Sequence, residues 1–221
     1  MDASFWIENW REGKRGFHQE KVNPALERFW PPRPRGSSVL VPLCGKSLDM
    51  LWLEQQGLNV TGIEVAEQAV LEFCHENGLA YSVNHRDHYV SYRLHTKSIR
   101  LIVGDFFAFA EHYATEPFDS LYDRAALVAL PLEMRKPYVK ACKSLLDENA
   151  SGLVVTLEYE QELMKGPPFS VPVEEVQRLW QNRLSCVEER DVLAELGKAK
   201  AAGLPNVQEF TWLLQPAETR R

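Results

Sequence analysis

A doubly wound α/β fold, with a mostly parallel sheet covered by helices on both faces, is the architecture that the sequence predicts. Short apolar segments alternate with helical patterns along most of the 221 residues, and strands joined by helices pair in parallel. The first apolar segment runs into a glycine turn at Gly45, and the next one ends on a carboxylate, Glu64, nineteen residues later. This spacing is typical of the first two strands of a doubly wound sheet.

Seven segments are predicted to be strands because they are short, apolar and bounded by turn residues. The last two have no full helical repeat between them, which favours an antiparallel hairpin on the sheet edge. The predicted sheet is therefore seven-stranded and mostly parallel, with an antiparallel C-terminal strand. In chain order the segments are Val39 to Leu43, Asn59 to Glu64, Ile99 to Val103, Phe118 to Tyr122, Gly152 to Leu157, Leu184 to Val187 and Gln208 to Leu214.

Helical spacing predicts the elements that cover this sheet. Leu48, Leu51 and Trp52 follow the first strand at i, i+3 and i+4, and Gly57 ends that helix. A second helix is predicted over Glu67 to Glu76, closed by Asn77 and Gly78, and a third apolar helical face runs from Tyr138 to Leu146.

The N-terminal segment differs in character from this core. It is rich in aromatic residues, and Trp6 and Trp10 lie one helical turn apart. The proline-rich run from Pro31 to Gly36 breaks any helix and links this segment to the first strand. We expect a single domain in which residues 1–35 form a helical lid and linker and residues 36–221 form the α/β core.

Composition excludes several classes of function. The chain is 45% hydrophobic and 25% charged, as in ordinary soluble globular proteins. A net charge of −6 gives no basic field for nucleic acid, no apolar run reaches the about 20 residues of a membrane span, and the N-terminus has no secretion-signal pattern. Four cysteines without a CxxC pair, at positions 44, 74, 142 and 186, indicate reduced thiols and a cytoplasmic location.

The glycine turn contains Gly45-Lys46-Ser47, which invites comparison with a phosphate-binding loop. That loop also needs a glycine five residues before Gly45, where the chain has Leu40. The G-x-G-x-x-G pattern of nicotinamide and flavin sites is missing too. A cofactor with a ribose and no phosphate fits better, which points to S-adenosylmethionine. An ordinary strand-to-helix turn remains the alternative interpretation.

Three strand ends supply the remaining candidate residues. Glu64 is predicted to accept hydrogen bonds from the ribose hydroxyls, while Asp105 and Phe106 would meet the adenine through its amino group and its ring. Asp123 and Arg124 follow the fourth predicted strand. They could form a structural ion pair, or Arg124 could orient an anionic nucleophile at this edge of the sheet.

Two other chemistries are rejected. The polar stretch from Asn84 to Lys97, which contains His85, Asp87, His88 and His95, lacks the ligand spacing of zinc sites, so we expect a solvated loop and no metal. A G-x-S-x-G elbow is missing, which leaves serine hydrolase chemistry without support.

Taken together, these residues resemble the thiopurine S-methyltransferase family, its bacterial branch in particular, which has the Rossmann-like class I S-adenosylmethionine-dependent fold. Four segments spread over nearly the whole chain carry the resemblance, and the Phe-His-x-Glu and Pro-Leu-Cys-Gly-Lys pieces are the most specific. The segments are Phe5-Trp6 with Trp10 and Gly16 to Glu20, Val41 to Lys46, Asp123 to Leu130, and Gly166 to Pro172.

The resemblance implies roles for individual residues of this chain. Arg124 and Asp123 match the positions expected to act in catalysis, and Phe17, Trp6, Arg124 and Pro168 match the substrate side. A second arginine of the family has no secure counterpart between Leu193 and Ala201, where Lys198 or Lys200 could replace it. The implied cofactor contacts are Trp10, Leu43, Gly45, Glu64, Asp105, Phe106 and Arg124.

The implied reaction is an in-line attack by a thiolate on the sulfonium methyl group of S-adenosyl-L-methionine, which leaves S-adenosyl-L-homocysteine. An apolar, water-poor pocket favours the loss of positive charge, and proximity supplies most of the acceleration. His18 could be a base or a structural hydrogen-bonder. We expect a monomer acting on a small aromatic or heterocyclic thiol such as 6-mercaptopurine; selenium, tellurium or halide anions, or a non-catalytic cofactor-binding module, are the alternatives.

Overall fold

The computed structural model describes residues 3–14, 18–112 and 116–216, and its helices and strands are as follows. The strands are β1 (Ser38–Pro42), β2 (Asn59–Glu64), β3 (Tyr81–His85), β4 (Val90–Leu94), β5 (Ile99–Val103), β6 (Phe118–Arg124), β7 (Leu146–Glu158), β8 (Leu184–Asp191) and β9 (Gln208–Leu214). The α-helices are α1 (Ala3–Arg11), α2 (Pro24–Phe29), α3 (Asp49–Gln55), α4 (Glu67–Glu76), α5 (Phe106–His112), α6 (Leu132–Leu145), α7 (Val173–Trp180) and α8 (Gly197–Ala201). Within those ranges, no helix has the length and apolar character needed to cross a bilayer.

All the strands join one sheet in the order β3-β4-β5-β2-β1-β6-β7-β9-β8. The five central strands, from β5 to β7, pair in parallel. At one edge β9 pairs antiparallel with both β7 and β8. Each of the seven predicted strands is present, and the predicted antiparallel hairpin near the C-terminus is confirmed.

The prediction of a solvated loop at Asn84 to Lys97 is wrong, and the sheet has nine strands where seven were predicted. Strands β3 and β4 form an antiparallel hairpin that pairs with β5 and extends the sheet. Only one side of this edge hairpin is buried: Tyr92 and Leu94 are buried, whereas Arg93 between them is exposed. A half-exposed edge strand needs few apolar residues, so its sequence looks like a polar loop.

Helices cover the sheet on both faces, as predicted. On one face Val39 and Val41 of β1 pack with α2, α3 and α4. On the other face Leu40 packs with α5, α6 and α7. Successive side chains of a strand point to opposite faces, so one buried strand contributes to two separate hydrophobic cores.

A buried polar network attaches the N-terminal segment to this core. The Asn23 side chain caps α2 by accepting a hydrogen bond from Ala25 N at 2.9 Å, and Pro24 occupies the first helical position. The backbone N–H of Asn23 donates to Asp49 Oδ1 at 2.8 Å. The Tyr122 hydroxyl donates to Asp49 Oδ2, also at 2.8 Å. One buried carboxylate therefore joins the segment before α2 to α3 and β6.

We expect Asp49→Ala to lower the free energy of unfolding by about 2–4 kcal/mol, because it leaves two buried donors without an acceptor. Tyr122→Phe, which removes one of those donors and leaves the carboxylate, should cost about 1 kcal/mol. Urea denaturation of both variants measures these losses. A loss below 1 kcal/mol for Asp49→Ala would show that the network does not hold the segment.

Candidate functional site

Three adjoining cavities open at the carboxyl edge of the parallel strands, where ligands bind in open α/β sheets. Trp6 of α1 lines all three, and Leu43 lines two of them. Arg124, at the end of β6, lines two as well. The cavities thus form one continuous site around the ends of β1, β2, β5 and β6.

The first two cavities contain every residue predicted to contact the cofactor. Trp10, Gly45 and Glu64 line the first cavity, and Asp105 and Phe106 line the second. Leu43 lies between them, and Arg124 faces the first. The fold therefore brings together residues that are up to 114 positions apart, from Trp10 to Arg124.

The Glu64 carboxylate ties two turns of the first cavity together. Its Oε2 accepts a hydrogen bond from Gly45 N at 2.9 Å, and its Oε1 accepts one from Ala66 N at 2.8 Å. Burial raises the pKa of Glu64, and these backbone hydrogen bonds oppose that rise. Each carboxylate oxygen has a second lone pair, so both can still accept a ribose hydroxyl.

The turn between β1 and α3 is left-handed at two positions. Leu43 has a φ of 48° and Gly45 a φ of 52°. Glycine adopts this conformation without cost, whereas a leucine does so only where its surroundings hold it. Strained non-glycine residues cluster at ligand sites, and Leu43 lines both the first and the second cavity.

Lys46 has a partner other than a phosphate. Its side chain is buried, and Nζ lies 2.6 Å from Glu76 Oε1 and 3.3 Å from Glu72 Oε2 on α4. These ion pairs hold the turn against α4. The geometry agrees with the rejection of a phosphate-binding loop, because that lysine is already neutralised by two acids.

Asp105 and Phe106 begin the helix that follows β5. Asp105 Oδ1 accepts a hydrogen bond from Ala108 N at 2.8 Å, as a helix cap does. Phe106 is buried, and its ring centroid lies 5.2 Å from that of Tyr138. One face of the second cavity is therefore aromatic, and the cavity also has an acid in its lining.

Asp123 and Arg124 point to opposite faces of β6. Asp123 is fully buried, with Oδ1 accepting from Leu127 N at 3.1 Å and Oδ2 accepting from the Tyr138 hydroxyl at 2.8 Å. Burial raises the pKa of Asp123 to about 6. Asp123 lies behind the cavity wall, where it holds the turn after β6, whereas Arg124 lines the cavities.

The third cavity adjoins the first at Arg124 and is largely apolar. Val155 and Leu157 of β7 contribute to it, with Pro168 on the other side. The loop that carries Pro168 is held from two sides: the Tyr159 hydroxyl donates to Pro168 O at 2.6 Å, and Lys198 Nζ donates to Pro167 O at 2.7 Å. Trp6, Arg124 and Pro168, three residues predicted for the substrate side, thus meet here; the fourth, Phe17, lies outside the described residues.

His18 lines both the first and the third cavity. Burial lowers the pKa of this half-buried imidazole, and the positive charge of Lys46 lowers it further. The ring is therefore neutral near pH 7. A neutral imidazole can accept a proton or a hydrogen bond, so the geometry leaves both interpretations of His18 open.

Sequence reasoning missed the charged end of the third cavity. Glu195 and Glu209 line it together with Lys198, whereas Lys200 does not. Arg190 of β8 lies between the two acids, 2.7 Å from each. Arg190 lies just before the interval Leu193 to Ala201, in which the second arginine of the resembled family has no secure counterpart. No local pattern would have placed it beside a residue of β9.

The histidines considered as metal ligands serve other roles in the edge hairpin. His85 ends β3, and His88 stacks on His112 of α5 with ring centroids 3.8 Å apart. Among the residues that the structure describes, no group of three or more His, Cys, Asp or Glu side chains could hold a metal ion.

Comparisons with known proteins assign the chain to a family. The model of a family described as thiopurine S-methyltransferase matches residues 1–217. A protein of that name from Bordetella parapertussis is 42% identical over 222 residues, which cover 97% of this chain and 99% of the relative. One from Azotobacter vinelandii is 44% identical over 223 residues, with 97% and 99% covered.

Solved structures that share this fold include methyltransferases. The 1,6-didemethyltoxoflavin-N1-methyltransferase of Burkholderia thailandensis, solved with S-adenosylhomocysteine, has a TM-score of 0.59 at 15% identity and covers 96% of this chain and 87% of its own. TehB from Haemophilus influenzae has a TM-score of 0.57 at 15% identity, covering 95% and 67%. At these identities the likeness supports the fold alone.

We expect Glu64→Ala to weaken the binding of S-adenosylhomocysteine by about 1.5–3 kcal/mol, because it removes a charged hydrogen-bond acceptor. Glu64→Gln should lower the affinity for S-adenosylhomocysteine less, because its amide oxygen can still accept a hydrogen bond. Calorimetric titration measures both, with Glu133→Gln on the exposed start of α6 as a control. Unchanged affinity in a folded Glu64→Ala variant would show that the carboxylate serves only the turns.

Proposed function

The chain belongs to the thiopurine S-methyltransferase family, and from this premise we propose that it methylates the sulfur of an aromatic or heterocyclic thiol, with thiopurines as the expected class. The chain is an S-adenosylmethionine-dependent methyltransferase. The observation that carries the proposal is the position of Arg124, which lines both the first and the third cavity. We name the first two cavities together the cofactor cavity and the third one the acceptor cavity.

The residues around the cofactor cavity suit S-adenosylmethionine. A buried carboxylate, Glu64, is available to a ribose, and the aromatic wall at Phe106 suits an adenine. When bound, this co-substrate supplies a methyl group on a positively charged sulfur, which a soft anion attacks in line. Lys46, already paired with two acids, offers nothing to a pyrophosphate.

The chain's own residues would then bring the acceptor to that methyl group. Arg124 attracts and orients the thiolate by its charge. Val155 and Leu157 exclude water from one side of the acceptor and Pro168 from another, which favours a reaction that loses charge. Neutral His18 can accept the proton of an acceptor that arrives as a thiol. Asp123 positions the turn after β6 through Leu127 and Tyr138 without contacting the acceptor.

We also propose that the N-terminal segment acts as a lid, within the single domain that residues 1–221 are expected to form. Trp10 is buried against Ala66 and Ala69 beside α4, while Trp6 reaches all three cavities. A cover of this kind keeps water from the reacting groups. The four free cysteines, three of them buried, support a reducing compartment such as the cytoplasm.

An activity screen tests the proposed acceptor class. With labelled S-adenosylmethionine, we expect methylation of 6-mercaptopurine and of simple aromatic thiols at rates well above those for selenite, tellurite and iodide. The apolar walls of the acceptor cavity suit a planar ring better than a small hydrated oxyanion. Methylation of the inorganic anions alone would overturn the thiol proposal and favour that alternative. Cofactor binding without any methyl transfer would indicate a binding module.

We expect Arg124→Ala to lower kcat/KM for 6-mercaptopurine by at least tenfold, a loss of about 1.4 kcal/mol or more in transition-state stabilisation. Arg124→Lys should recover only part of this loss, because a point charge does not reproduce the planar guanidinium. Melting temperature is measured on the same preparations. Arg178→Ala, at an exposed position of α7 away from the cavities, serves as the matched control.

An Arg124→Ala variant that melts early while its folded fraction keeps normal kcat/KM would contradict the role in orienting the acceptor. That outcome would make Arg124 a structural residue of the rim.

A further inference from the structure

The end of the acceptor cavity opposite Arg124 carries charged groups of both signs, among them the Glu209 carboxylate and Lys198. Arg124 of β6 is in register with Val155 of β7, and two residues further along β7, Leu157 is in register with Glu209 of β9. All four side chains line this cavity, so they share one face of the sheet. From the usual strand spacing and rise, the Cα atoms of Arg124 and Glu209 lie about 12 Å apart.

This arrangement makes the floor of the cavity bipolar. A guanidinium stands at one end, two aliphatic side chains form the middle, and a carboxylate stands at the other end. A flat aromatic acceptor would pack on the aliphatic part. A group that its ring carries on the side away from the sulfur would then lie towards Glu209.

Arg190 contacts one oxygen of the Glu209 carboxylate, Oε1. Arg190 donates to Oε1 from Nε at 2.9 Å, and a second guanidinium nitrogen of Arg190 lies 2.7 Å from the same oxygen. The other oxygen, Oε2, accepts no hydrogen bond from any residue in the described ranges. Only 11% of the Glu209 side chain is exposed. Either water or an N–H group in the cavity can donate to this oxygen.

Arg190 does not supply that second donor, because Glu195 holds its other side. The Arg190 guanidinium donates to Glu195 Oε1 at 2.7 Å and to Glu195 Oε2 at 3.3 Å. Arg190 is thus held between two acids, which fixes the orientation of the Glu209 side chain at the cavity wall.

We propose that Glu209 is a specificity-determining residue whose Oε2 accepts a hydrogen bond from an N–H group of the acceptor. The acceptor class is then a ring thiol that carries an amino group or a ring N–H on the side opposite its sulfur. The inference rests on the proposed function, since it requires that the acceptor is an aromatic or heterocyclic thiol.

A pair of acceptors of similar size tests this recognition. 4-Aminothiophenol and 4-methylthiophenol differ in whether the group opposite the sulfur can donate a hydrogen bond. We expect kcat/KM of the unmodified protein to favour the amino compound by about tenfold, the usual effect of a hydrogen bond to a charged acceptor. A ratio near one would overturn the inference.

Variants separate recognition from ion pairing. Glu209→Met keeps the side-chain length and removes the acceptor, so the preference for the amino compound should fall to near one. Glu209→Gln, which disturbs the strand less, should leave an intermediate ratio. Glu195→Met removes the other partner of Arg190 but leaves the Glu209 acceptor in place, so it should keep more of the preference for the amino compound than Glu209→Met does. Binding of S-adenosylhomocysteine confirms that each variant is folded.

The outcomes distinguish a failure of the proposed function from a failure of recognition by Glu209. If the unmodified protein methylates neither thiol, the proposed function fails. If it methylates both and Glu209→Met lowers both rates equally, thiol methylation stands and Glu209 acts only by positioning Arg190. Equal loss of preference in Glu195→Met and Glu209→Met would also overturn direct recognition by Glu209.

Discussion

The buried carboxylate of Glu64 is the contact on which the rest of the site depends. It holds the turn after β1 through Gly45 and the start of α4 through Ala66, so two strand ends share one anchor. Burying a carboxylate is costly, and backbone hydrogen bonds offset part of that cost. The same side chain lines the first cavity. The anchor of the two turns is therefore part of the cavity wall.

Because successive side chains of β6 point to opposite faces, one residue stabilises the turn after the strand and the next lines the cavities. Asp123 turns into the core and holds Leu127 and Tyr138, whereas Arg124 turns into the cavities. Ala125, which follows at a φ of 67°, bends the chain away immediately afterwards. A residue that positions a turn and a residue that meets ligands can be adjacent in sequence because the strand sends them in opposite directions.

The N-terminal segment belongs to the site because a buried polar network attaches it to the core. Asp49 holds Asn23 on one side and Tyr122 on the other, and Tyr122 lies two residues before Arg124 on the same strand. The N-terminal segment and the rim residue Arg124 are thereby both connected to β6.

The sequence by itself determined the parts that depend on local patterns. Apolar runs and turn residues located β2, α4, β5 and β9 residue for residue. The glycine turn and Glu64, which the sequence singled out, both line the first cavity. The β3–β4 hairpin was not predicted from the sequence, because an edge strand with one exposed side has no strong apolar pattern. Only the tertiary structure placed Glu209 opposite Arg124, since the register between β7 and β9 arises from pairing across the sheet and leaves no trace in local periodicity.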